Sequence, residues 1–191
     1  MLLGVPVGVF LGLRRFTGRG LIVTLVNAGM GLPPVVVGLV VFLILCRSGP
    51  LGAWSLLYTP AAMVIAQVVI ATPVVVGVTL AAIQGLDERL RLQILSLGAS
   101  RVQLYLTLIR EARIALLAAL AAGFGSIISE VGAVMMVGGN LQGQTRVLTT
   151  AIVLETRQGN FAMAIALSII LLAIAVLINA VFTFVQQRRR P

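Results

Sequence analysis

Four runs of oily residues, each long enough to cross a bilayer, decide what this chain can fold into. They are Leu21–Cys46, Pro60–Ile83, Ala112–Val137 and Phe161–Phe184. A helix needs about 20 apolar residues to span a hydrocarbon core of about 30 Å, and every run exceeds that. Backbone in lipid has to bond to itself, so unbroken runs of this length are helices, not the shorter alternating strands of a barrel. Charge points to the same solvent. Only 10% of the 191 residues are charged and the mean hydropathy is +1.13, whereas a soluble domain carries about 25% charged residues. The expected fold class is all-α: a polytopic membrane helical bundle in a single transmembrane domain over residues 1–191.

The opening stretch Leu2–Leu13 is apolar but short, about 18 Å of helix. No basic region precedes it and no small-residue cleavage site follows, so it does not read as a signal peptide. It reads as a truncated first helix, which makes about five transmembrane helices, or as an interfacial segment. Pro33-Pro34 interrupts the first long run, and Pro73 lies in the second. The third is rich in Ala and Gly, and the fourth has neither Pro nor charge.

All 14 basic residues are arginine, and there is no lysine and no histidine. Arg14, Arg15 and Arg19 precede the first long run. Arg89, Arg91, Arg101, Arg110 and Arg113 separate the second from the third, and Arg188, Arg189 and Arg190 end the chain. The alternate loops hold only Arg47, Arg146 and Arg157. Arginine accumulates in cytoplasmic loops. The first three clusters, and with them the C-terminus, are therefore expected inside. Net charge of +9 does not indicate nucleic acid, because the arginines flank oily runs and no aromatic-interleaved basic patch exists. Cys46 is the only cysteine, so neither an internal disulfide nor a cysteine–metal cluster is possible, and it reads as a small apolar filler.

The arginine-rich segment 84–113 breaks the pattern. Asp87 is placed to cap a helix, with Glu88 in its first turn and Arg91 four residues on. Leu86, Leu90, Ile94 and Leu97 recur at helical spacing as an apolar stripe. Gly98 ends that helix, because glycine takes the left-handed conformation other residues avoid. Ser100 caps a second helix, which runs through Arg101 and Tyr105 towards the next oily run. A bent helix pair with an apolar stripe, too short to cross lipid, is a surface for a protein partner.

The stretch "LSLGASRVQLYLTLIREA" resembles the cytoplasmic coupling loop of bacterial ABC importer permeases, with Gly98, Ala99 and Ser100 at its centre. Where that family usually has Glu-Ala-Ala this chain has Leu92, Gln93 and Ile94, and its terminal proline position is Glu111. "NAGMGLPPVVVGLVVF", "SEVGAVMMVGGN" and "TRVLTTAIVLETRQGNF" are similar to the molybdate and tungstate branch, closest to the tungstate permeases, in which "REAR" also replaces the proline. The resemblance covers nearly the whole chain. It implies a homodimer, a separate ABC ATPase and a periplasmic or lipid-anchored solute-binding protein. It also implies tungstate or a related oxyanion as the cargo, with molybdate, sulfate or another solute as alternatives. The ATPase would dock on Leu86, Leu90, Ile94, Leu97, Gly98, Ala99, Ser100, Arg101 and Tyr105. This chain has no GxxxxGK[ST] loop and no lysine to complete one. No cofactor is expected on it, and ATP and magnesium belong to the partner.

Single residues carry two readings each. Glu130 is the only acid inside an oily run, where a charge costs about 2.5–3.5 kcal/mol on insertion scales. It reads as a gate or as a structural hydrogen-bonding group. Pro33 and Pro34 free backbone groups that line a pathway or form a packing kink. Asn27 lines the pathway or bonds locally. Gly132 and Asn140 fall in the glycine-rich segment Gly132–Asn140, whose small residues suit close helix packing or pathway lining. Arg146 is a candidate outer docking residue for an anion or a binding protein, and Arg157 a headgroup contact. The apolar middle of the last outer loop, Val147–Leu154, is a candidate short helix.

A membrane enzyme is disfavoured: there is no histidine for a Ser–His dyad or a metal site. Asp87 is the single aspartate, which rules out an aspartyl dyad, while Glu130 and Glu155 keep a carboxylate pair formally possible. A secondary transporter would show two similar halves, and none are visible.

Overall fold

The computed structural model describes residues 3–187. The tail arginines Arg188, Arg189 and Arg190 lie outside the described residues, as does Leu2. Among the described residues there are ten α-helices, one 3-10 turn (Gly52–Trp54) and no strand. The helices are α1 (Gly4–Leu13), α2 (Arg19–Met30), α3 (Pro34–Leu45), α4 (Pro60–Gln84), α5 (Glu88–Ser96), α6 (Arg101–Glu111), α7 (Arg113–Ile128), α8 (Gly132–Gly138), α9 (Leu148–Arg157) and α10 (Phe161–Gln187). They form two compact units, one from residues 3–30, 72–123 and 182–187, the other from Gly31–Ala71 and Phe124–Val181.

In the first unit α1 packs along the later part of α4. Gly4, Gly8 and Gly12 recur every fourth residue and face Val75, Thr79 and Ile83. A methyl group on these glycines would lie 2.8, 2.6 and 2.6 Å from those side chains. The signal is in the sequence as G-x-x-x-G-x-x-x-G. Helices in lipid gain little from leaving an equally oily solvent, so this close van der Waals approach is what holds the pair. Val9, Ile83, Ala112 and Leu116 form one buried cluster; Leu11, Val76 and Leu80 form another, covered by Val23 and Val26 of α2.

The second unit is built on α3 and α8. A methyl on Gly38 would stand 2.6 Å from the Ala133 Cα, and one on Gly132 would stand 2.7 Å from Val35. Val37, Val41 and Leu45 of α3 close over Val134 and Val137 of α8 and over Ala62, Met63 and Ala66 of α4. The Tyr58 amide donates to the Val137 carbonyl (2.8 Å), fixing the loop after Trp54 to the end of α8.

Two helices, α4 with 25 residues and α10 with 27, are each long and apolar enough to cross a membrane. The other two long runs are broken. In Leu21–Cys46 the prolines do not kink a helix: they start one. Pro33 is extended (φ −62°, ψ 124°) and Pro34 is the first residue of α3, where its missing N–H costs nothing. Ala112–Val137 is not one helix either. α7 stops at Ile128 and α8 starts at Gly132, and α6 meets α7 at a bend of 64°. If each bent pair is one span, the total reaches 4, beside the short apolar α1.

Candidate functional site

The elbow between α5 and α6 is set by three local devices. Asp87 accepts a hydrogen bond from the Arg89 amide (2.9 Å) and starts α5. Gly98 adopts φ +80° just past its end. Ser100 accepts from the Gln103 amide (3.3 Å) while the Gln103 side chain accepts from the Ser100 amide (2.8 Å), a reciprocal capping box that starts α6. Nothing crowds the space beside Gly98, so the glycine is there for its backbone conformation and not for a close approach.

The expected stripe divides. Leu86, Leu90 and Ile94 are half-buried, and Leu86 packs on the Val9–Leu116 cluster. Leu97 is 87% exposed. The residues presented outward with it are Leu92, Leu95, Val102 and Leu106, which the stripe did not include. In α6 Leu104 and Leu108 are buried, which puts Val102 and Leu106 on the other side of the helix, a sidedness that spacing alone does not give. Ala99 is half-buried, and Ser100 and Arg101 are exposed at the start of α6. Tyr105 is half-buried and lines an apolar recess with Val5, Phe10 and Ile109, so it belongs to the packing of α1.

In the second unit Glu130 sits in the break between α7 and α8, not inside a continuous span. The Glu130 amide bonds the Ile127 carbonyl (3.2 Å) and the Ser129 hydroxyl bonds the Gly125 carbonyl (3.1 Å), closing α7 tightly. The Glu130 carboxylate, buried at 8% exposure, then accepts from the Ala133 amide at 2.8 Å. Its carbonyl accepts from the Thr149 hydroxyl at 3.2 Å, tying the break to α9. One acid thus satisfies a free amide at the start of α8 and favours that end of the helix electrostatically.

Glu130 also lines a cavity of about 680 Å³ with Arg146, Gln67, Thr149 and apolar residues of α7, α9 and α10. Arg146 was expected as an outer docking residue; here it is half-buried in this wall. Its Nε is buried without a hydrogen-bond partner, and its Nη2 reaches the Asn140 carbonyl only at 3.5 Å. Gln67 was missed in the sequence although it is the only carboxamide in the run Pro60–Ile83. The loop before Arg146 is clamped by Thr145, whose buried hydroxyl donates to the Gly138 carbonyl and accepts from the Leu141 amide (2.9 Å).

The remaining expected pathway residues of this unit do not line this cavity. Asn27 is exposed on α2, in the other unit. Pro33 and Pro34 start α3, Gly132 packs on Val35, and Asn140 takes φ +53° with its Oδ1 buried and unpartnered. The expected helix at Val147–Leu154 is present as α9, Leu148–Arg157, and Arg157 is exposed in its last turn.

Residues 4–191 match the family described as "Binding-protein-dependent transport system inner membrane component". The chain is 45% identical over 183 residues to a "Probable anion ABC transporter permease protein" of Haloferax volcanii, covering 93% of this chain and 79% of that one. It is 41% identical to the "Tungstate uptake system permease protein TupB" of Peptoclostridium acidaminophilum, over 96% of this chain and 80% of the relative. Identity falls to 27% for the "Molybdenum transport system permease protein ModB" of Haemophilus influenzae, over 79% and 71%.

Proposed function

Because this chain belongs to the family of binding-protein-dependent transport system inner membrane components, we propose that it is the permease subunit of an ATP-driven ABC importer for tungstate or a related tetrahedral oxyanion. The family match over almost the whole chain carries this reading. The solute follows from the relatives: identity is higher to the tungstate permease than to the molybdenum permease. Molybdate or sulfate would fit the same chemistry.

The chain is a multi-pass membrane transport component. Two copies would enclose the pathway in the cytoplasmic membrane of a bacterium or archaeon. A solute-binding protein would deliver the anion from outside, and an ABC ATPase would work from inside with ATP and magnesium. This chain would hold no cofactor of its own. The elbow at Gly98 and the C-terminus would face the cytoplasm, as the arginine distribution favours. The exposed Leu92, Leu95, Leu97, Val102 and Leu106 supply the apolar surface that an ATPase cleft would cover.

The test is uptake of labelled tungstate, molybdate and sulfate into vesicles carrying the permease, its ATPase and its binding protein. ATP-dependent uptake with tungstate preferred is the expected result, and uptake without any ATPase would overturn it. Gly98→Pro, which cannot adopt φ +80°, and Leu97→Asp should leave the permease in the membrane but abolish ATPase-driven uptake. Normal uptake by both variants would remove the elbow from the coupling role.

A further inference from the structure

We propose that the cavity at Arg146 is a stop for a tetrahedral oxyanion, held by the Arg146 guanidinium with the Gln67 carboxamide and weakened on purpose by Glu130. The identity of the free ligand rests on the permease reading above; the existence of the site does not. Cavities of about 300–1,000 Å³ with mostly apolar walls and a few convergent polar groups are where small ligands bind. This one measures about 680 Å³, with Phe124, Ile127, Leu171 and Ile174 among its walls.

The polar groups leave one obligation unmet. Thr149 spends its proton on the Glu130 carbonyl, and Glu130 takes the Ala133 amide. The Arg146 Nε is buried and donates to nothing. A guanidinium never gives up its proton, and its planar fork presents paired donors that match two oxygens of a tetrahedral anion. A buried donor of this kind demands an acceptor. Gln67, which lines the same cavity, adds two further N–H donors.

Glu130 turns this from a trap into a stop. Glu130 lines the same cavity and its carboxyl oxygens repel an oxyanion, so occupancy stays weak. A conducting site must bind well enough to be entered and poorly enough to be left. Replacing the carboxylate with its neutral isostere keeps an acceptor for the Ala133 amide and removes only the repulsion.

The oxyanion has two possible sources: a free tetrahedral anion or the phosphodiester of a lipid headgroup. Equilibrium binding of labelled tungstate to the full chain in nanodiscs separates them. In phosphatidylcholine discs, saturable binding is expected. It should fall about tenfold or more in Arg146→Gln, fall less in Arg146→Lys, and tighten several-fold in Glu130→Gln. Discs containing phosphatidylglycerol supply the headgroup phosphodiester without the choline cation that neutralises it in phosphatidylcholine. If that lipid stays bound during purification of the wild type but not of Arg146→Gln, and tungstate binding drops, the site stands with a headgroup as its occupant. Binding indifferent to Arg146→Gln overturns the proposal. So does the absence of both saturable anion binding and Arg146-dependent lipid retention in a chain whose helical circular dichroism is intact. Uptake keeps the two readings apart. Tungstate import with an unchanged KM in Arg146→Gln would sink the stop and leave the permease reading. Import of sulfate alone, with Arg146-dependent sulfate binding, would correct the solute and leave the stop.

Discussion

Two buried threonines make opposite predictions. Thr79 is fully buried under Gly8 and its hydroxyl has no partner. Thr145 is equally buried, but its hydroxyl both donates and accepts. Replacing an unsatisfied hydroxyl with a methyl group of the same shape recovers a desolvation cost, whereas removing a working one exposes two backbone groups to loss. Thr79→Val should therefore stabilise the protein by about 1 kcal/mol and Thr145→Val should destabilise it by about 1–3 kcal/mol. Thermal midpoints in one detergent will show the two shifts in opposite directions. Neither threonine was marked by the sequence, because both are one-atom questions that only packing answers. Glu130 was marked: an acid in an oily run is expensive wherever it lies. Its partner, the Ala133 amide, was not legible, since the break that frees that amide leaves no proline behind.

Helices were legible wherever the chain carries its own punctuation. Asp87, Gly98 and Ser100 define the ends of α5 and α6 because their side chains, or the lack of one, act on the backbone within three residues. The break at Ser129–Val131 has a device of the same kind in the Glu130 cap, but inside an oily run the acid was read for its charge, and the 3-10 closure and the α3–α8 contact complete the break. The face of α5 was also misjudged: helical spacing finds a stripe but does not say whether it looks inward or outward. The α1–α4 seam is the sharpest element-scale test. Gly8→Leu places a branched side chain where even a methyl would stand 2.6 Å from Thr79. Overpacking of this kind costs about 1–3 kcal/mol, so α1 should loosen and protease sensitivity near it should rise. Gly20→Leu meets open space and should change nothing in the same digestion.

At the scale of the molecule, the all-helical membrane architecture was readable from run length and charge alone, because lipid leaves the backbone few options. The number of continuous spans was readable only in part: Pro33-Pro34 marks the break between α2 and α3, whereas the break between α7 and α8 leaves the oily composition unchanged. Sidedness is open to a direct check. In a Cys46→Ser background, cysteine at Leu97 should react with an impermeant maleimide only from the cytoplasmic side, and cysteine at Trp54, itself 68% exposed, only from outside. The opposite labelling would invert the proposed topology.

Finally, α10 is 27 residues long, yet only 6% of its most apolar window is buried. Ala164 is its one buried residue, Ser168 bonds back to the Ala164 carbonyl (2.7 Å), and Leu171, Ile174 and Ile178 reach the cavity wall. Much of the remaining surface of the helix is exposed and apolar, Ile165, Leu172 and Val176 among it. It should read as nearly neutral in a saturation library: any aliphatic would serve at Ile165, Leu172 or Val176, while a handful of inward positions would tolerate little. Orthologues would then drift fastest along this helix without losing hydrophobicity, and its alignment would look poorly related even where the protein is unchanged in kind.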